Sequence, residues 1–258
     1  MKRCCAVGGW AMCCIIGSMT VGAHHAMEFI ETESYTTPLK GESVVYVRYD
    51  FMSEDKQDPA LDRWEWTPGY AVGLTDRLMF DIHTHYAQFN AGHLVEEEQE
   101  RFEDRDPSPF FEAVAVSLQY RVTEGKWLDV AVAGRVEVPF KRARDWLDAE
   151  EVYEGVLIFS TPFGTHGNVT LNLIYGMEGS DDHWEFALGV KSPLSAHPHG
   201  IAGGIELLGD LDDIEDTWSI IPGVYIPVGG PETILKTGVE IGKNAESTAF
   251  SISLMHLF

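Results

Sequence analysis

The chain has 258 residues, 45% of them hydrophobic, and a formal charge of −23 from 41 acidic and 18 basic residues. That balance excludes a disordered tail and a helical membrane protein. It also argues against nucleic-acid and polyanion binding, because so acidic a surface repels phosphates.

Residues 1–23 open with Lys2 and Arg3, continue as an apolar run and end on Val21-Gly22-Ala23. This is the three-part pattern of a secretory signal peptide, with cleavage expected after Ala23. The run is too short for a transmembrane helix. All four cysteines (Cys4, Cys5, Cys13, Cys14) lie inside it. The mature chain would then carry neither disulfides nor thiolate metal sites. Loss of Lys2 and Arg3 would take the charge from −23 to −25. Residues 24–42 form an N-terminal segment without strong periodicity, expected to lie in the periplasm or to plug a lumen.

From residue 43 onward the pattern alternates with period two. Twelve strands are expected near 43–51, 63–74, 78–89, 110–122, 127–140, 152–160, 168–177, 183–192, 200–208, 216–227, 232–241 and 247–258. In the third, Leu78, Phe80, Ile82, Thr84 and Tyr86 oppose Met79, Asp81, His83 and His85. In the fourth, Val114, Val116, Leu118 and Tyr120 oppose Ala113, Ala115, Ser117, Gln119 and Arg121. One face is large and apolar, the other small, polar or charged. A soluble sandwich would turn the bulky face toward a second sheet; a membrane barrel turns it toward lipid. The alternation by itself fits both.

Three features favour the barrel. The strands are about ten residues long, as a tilted strand crossing a bilayer requires. Aromatics (Trp64, Trp66, Tyr86, Trp127, Trp184, Trp218) stand near strand ends, where interfacial girdles form. The chain closes on Ser251-Ile252-Ser253-Leu254-Met255-His256-Leu257-Phe258, similar to the terminal strand of bacterial outer-membrane barrels. Loop lengths add to this: 75–77 and 123–126 are tight, whereas 52–62, 91–109 and 141–151 are long. The expected fold is therefore all-β, an antiparallel up-and-down transmembrane β-barrel of about twelve strands over residues 43–258.

The stretch Tyr70-Ala71-Val72-Gly73-Leu74-Thr75-Asp76-Arg77-Leu78 places GLTDRL between two strands. It resembles the periplasmic turn of a bacterial outer-membrane family described as meta-pathway phenol-degradation proteins or transporters. Asp76 is expected to bond its own backbone there. The resemblance implies an outer-membrane channel or transporter and brings no catalytic residue. Outer-membrane lipid and lipopolysaccharide are the expected surroundings. The barrel-assembly machinery is an expected partner, through the strand ending at Phe258.

The residues open to chemistry are mostly histidines. His24 and His25 would begin the mature chain, with Met27 beside them, a donor set that suits copper. Asp81, His83 and His85 share one strand face, so two imidazoles and a carboxylate can approach one Cu or Zn ion. The plainer reading is polar lining of a wet lumen. The acidic runs Glu96–Glu98 and Asp210–Asp216 read as solvated surface or divalent-cation sites. No G-x-S-x-G or phosphate loop occurs, and the chain is not expected to be an enzyme. The expected function is a channel passing small neutral or cationic solutes. Two alternatives are a transition-metal-binding outer-membrane protein and a soluble periplasmic β-sandwich.

Overall fold

A computed structural model describes residues 29–53, 62–89, 109–125, 127–147, 149–164, 167–194, 200–212, 217–242 and 248–258. His24, His25 and Glu96–Glu98 lie outside these residues, as do the last four positions of the acidic run at 210–216. The described residues form twelve strands: β1 (Ser43–Ser53), β2 (Arg63–Gly73), β3 (Leu78–Phe89), β4 (Phe110–Thr123), β5 (Asp129–Pro139), β6 (Val152–Phe163), β7 (Gly167–Glu178), β8 (Asp181–Pro193), β9 (Ala202–Asp210), β10 (Trp218–Pro227), β11 (Thr233–Gly242) and β12 (Thr248–Leu257). Each pairs antiparallel with its neighbours in sequence, and β1 pairs with β12, with Val47 opposite Leu254. The sheet is thus a closed barrel without an edge strand for another chain to extend.

Side-chain size is inverted relative to a water-soluble protein. Ile82, Val116, Leu118, Tyr120, Val132, Leu157, Val190, Ile205 and Leu254 stand exposed on the outer surface. Ala71, Ala115, Ala131, Asp81, Gln119, Thr170 and Asn172 are buried inside it. A single closed ring offers no second sheet to cover the bulky face, so the soluble-sandwich alternative fails; lipid is the medium such a face fits. Aromatic clusters mark one rim. Tyr49 stacks on Trp64 at 5.2 Å, Tyr86 meets Phe111 at 4.0 Å, and Tyr175 meets Trp184 at 5.0 Å. At the opposite rim Trp127, Phe163 and Phe258 are exposed.

At the second rim four residues (74–77) separate β2 from β3, five (124–128) separate β4 from β5 and three (164–166) separate β6 from β7, and there β1 starts and β12 ends. The first carries the connections 54–62, 90–109 and 140–151, and also the tight Gly179–Ser180 turn. The short–long alternation therefore breaks at β7–β8. The connection at 140–151 also contains a helix that the strand-dominated pattern hid, α1 (Lys141–Leu147). It packs Ala143 against Ala87, Phe89 and Phe110. From its last turn, Arg144 meets Glu151 at 2.6 Å, and this guanidinium holds the Glu151 carboxyl below the ordinary range.

The 74–77 turn departs from expectation in one detail. Thr75, not Asp76, closes it: its hydroxyl accepts from the N–H groups of Arg77 (3.2 Å) and Leu78 (3.0 Å). Asp76 instead accepts the Lys40 N–H at 3.3 Å and so ties the N-terminal segment to the rim. Thr75→Val should cost about 1 kcal/mol, since a hydrogen bond in water is worth roughly 0.5–1.5 kcal/mol net. The denaturant midpoint of the vesicle-embedded barrel checks this, and Asp76→Ala should leave the turn itself intact.

Candidate functional site

A barrel of eight strands is filled by its own side chains and one of sixteen leaves a water channel. Twelve strands enclose an intermediate lumen, and here the chain itself enters it. Residues 29–40 precede β1 and lie outside the barrel ladder, apart from a single parallel bridge of Lys40 to Gly73 at the rim. Their main-chain groups still need partners, and the wall supplies them from side chains.

Glu206 on β9, fully buried, accepts the N–H groups of Ile30 (2.7 Å), Glu31 (2.9 Å) and Thr32 (2.6 Å). Asn172 on β7 accepts the Glu33 N–H at 2.7 Å and donates to the Glu33 carbonyl at 3.1 Å. Gln119 on β4 donates to the carbonyls of Ser34 (2.8 Å) and Tyr35 (3.2 Å). Lys236 on β11 donates to the Phe29 carbonyl at 2.7 Å. Two ion pairs add side-chain contacts: Glu31 with Arg48 on β1, and Glu33 with Arg135 on β5 at 2.6 Å. Partners on six strands around a closed ring are reached together only from within, so the segment crosses the lumen.

The wall makes room for it. A Cβ at Gly189 would come within 2.6 Å of the Phe29 ring, and one at Gly238 would collide with the Ile30 side chain. Ile30 packs against the buried cluster of Val44, Ala71, Met79, Ala202, Tyr225, Ile234 and Met255. Toward the rim, Tyr35 donates to the Thr123 carbonyl at 2.7 Å, and the Gly41 N–H bonds the Gly73 carbonyl at 3.0 Å.

Between the segment and the wall a cavity of about 350 Å³ remains. Its walls hold Arg48, Glu65, Asp81, His83, His85 and Arg135. Asp81, His83 and His85 do share the lumen face, but the two imidazoles serve different carboxylates. His83 Nδ1 lies 2.8 Å from Asp81, and Tyr46 donates to the same carboxylate at 2.9 Å. His85 Nδ1 lies 2.6 Å from Glu65 on the neighbouring strand, while its Nε2 is 3.6 Å from Glu137. The rings meet edge-on with centroids 5.0 Å apart. Among the described residues no group of three or more His, Cys, Asp or Glu side chains is arranged to hold a metal ion. The carboxylates of this cavity instead have separate partners: Arg48 meets both Glu31 and Asp50, and Arg135 meets both Glu33 and Glu154.

The residues that grip the segment were not singled out by the sequence motifs. Their signal is nonetheless visible in retrospect: Glu206 in Gly204-Ile205-Glu206-Leu207-Leu208, Asn172 in Leu171-Asn172-Leu173 and Lys236 in Leu235-Lys236-Thr237 each interrupt apolar strands at an inward position.

No family model and no curated protein matches the sequence. Among solved structures, the COG4313 outer membrane channel from Pseudomonas putida F1 is similar, with a TM-score of 0.57 at 10% identity over 89% of this chain and 100% of that one. The KdgM porin gives a TM-score of 0.55 at 8% identity, over 83% of this chain and 98% of that one. At such identities the likeness is one of fold, and the resemblance to phenol-degradation proteins rests on the GLTDRL turn alone. The chain has the closed, twelve-stranded antiparallel fold of bacterial outer-membrane β-barrels, with its own residues 29–40 lodged in the lumen.

Proposed function

We propose that the chain is an outer-membrane channel for small polar solutes, held closed in this conformation by residues 29–40. The observation that carries the reading is the combination of a lipid-compatible outer face with a polar lumen blocked by a segment outside the barrel ladder. Blocking through side-chain hydrogen bonds and ion pairs is reversible, whereas a lumen filled by its own wall is not. Similarity in fold to a porin and to an outer membrane channel supports the same reading.

The acidic balance of the sequence, −23 in formal charge, favours cations and neutral solutes over anions. Planar-bilayer currents through a barrel with its segment displaced should prefer cations. That preference should weaken between 0.1 M and 1 M salt, as the Debye length falls from about 10 Å to about 3 Å. Anion preference at low salt would refute the charge reading, and liposome swelling with neutral sugars of graded size reads the pore width. Absence of current and of swelling in every displaced variant would refute the channel itself.

A further inference from the structure

The wall of the lumen recognises the segment chiefly by its main chain. Over seven consecutive residues, 29–35, Lys236 takes the Phe29 carbonyl, Glu206 the next three N–H groups, Asn172 both groups of Glu33, and Gln119 the carbonyls of Ser34 and Tyr35. Main-chain groups are common to every polypeptide, so these contacts do not depend on which side chains the segment carries. The two-bond contact of the Asn172 amide with one residue's N–H and carbonyl is matched to a polypeptide main chain; a simple ion offers no such donor–acceptor pair.

The side-chain contacts then set a preference. Arg48 and Arg135 meet acidic residues two positions apart, at Glu31 and Glu33. The small residues Gly189 and Gly238 leave space for an aromatic and an aliphatic side chain just before them, at Phe29 and Ile30. The order read by the wall is thus aromatic, aliphatic, acidic, a small residue at the buried Thr32 position, acidic.

We infer that the lumen is a polypeptide-binding site, occupied here in cis by the chain's own N-terminal segment. When that segment leaves, an acidic peptide of the same order binds in its place. The inference rests on the channel reading only in taking the segment to be displaceable, and it names acidic peptide as the ligand class.

The test separates the segment from the wall within the full chain. Glu31→Arg/Glu33→Arg sets two cations against Arg48 and Arg135 and expels the segment while every wall residue stays. Adding Asn172→Ala to that variant damages the wall as well. Heat-modifiable migration on gels confirms that each variant is a folded barrel. A fluorescent synthetic peptide with the sequence of residues 29–38 is then titrated by anisotropy, and current is recorded in parallel.

The peptide should bind the charge-reversed variant at least tenfold more tightly than the variant that also carries Asn172→Ala. A peptide with Arg at both acidic positions, and one of reversed sequence, should each bind at least tenfold more weakly. Equal binding by the reversed peptide, or no effect of Asn172→Ala, overturns the inference. Current without peptide binding overturns it and leaves the channel standing. Peptide binding without current upholds it and removes the channel. If the charge-reversed variant does not fold, Ile30→Asp displaces the segment through the apolar cluster instead and is judged by the same outcomes.

Discussion

Glu206→Gln should convert a closed barrel into a conducting one. The Glu206 carboxylate accepts three consecutive N–H groups of the segment at 2.6–2.9 Å and the Tyr225 hydroxyl at 3.2 Å, in a position with no solvent exposure. Glutamine keeps the shape but loses one acceptor and turns an NH2 group toward donors. Hydrogen bonds to a charged group are worth about 1.5–3 kcal/mol each, so the plugged state should lose about 3 kcal/mol or more. At about 1.4 kcal/mol per tenfold, the open fraction should rise roughly a hundredfold. Single-channel recording reads this directly as more frequent and longer openings. Glu232→Gln, on the exposed rim between β10 and β11, should leave the openings at the wild-type level. A Glu206→Gln barrel that folds and stays as silent as wild type would remove the segment as the closing element.

Val116→Arg should impair folding far more than Ser117→Arg. Val116 lies between Ile82 and Val136 in the register and faces outward, 37% exposed. Ser117 lies between Asp81 and Arg135 on the lumen face. An arginine at a lipid-facing position near the midplane costs about 2–4 kcal/mol, whereas one in the lumen finds water and the Asp81 carboxylate. Refolding into vesicles, scored by the fraction that migrates as folded protein without heating, should fall steeply for Val116→Arg and little for Ser117→Arg. Equal losses would mean that the outer face is not in lipid.

Alternation was enough to read the strands. Residues 78–89 were expected and found as β3, and the other eleven strands lie within three residues of their expected ends. Period two is a local property: each residue's face follows from its neighbours two positions away. Bulky residues on one face and small or polar ones on the other were therefore legible before any contact was known. Helix α1 was not, because seven residues carry too few turns for a helical period to stand out beside a chain of strands.

The lumen was legible only as a face, not as a set of contacts. Parity put Asp81, His83 and His85 together, and they are together, yet Glu65 from β2 takes His85 while Asp81 keeps His83. That choice depends on the register between β2 and β3, where Gly69 stands opposite His83. The place of residues 29–40 was still less accessible. An extended or strand segment shows its period because its hydrogen bonds run to a ladder; the main chain of residues 29–35 instead bonds side chains 84 to 207 positions away in the chain, on β4, β7, β9 and β11. Sequence alone determined which residues share the bulky face and which share the small or polar one, since that follows from local alternation. Closure of β12 onto β1 decided which inward residues meet, because only the finished ring brings Glu206, Asn172, Gln119 and Lys236 around the same seven residues of main chain.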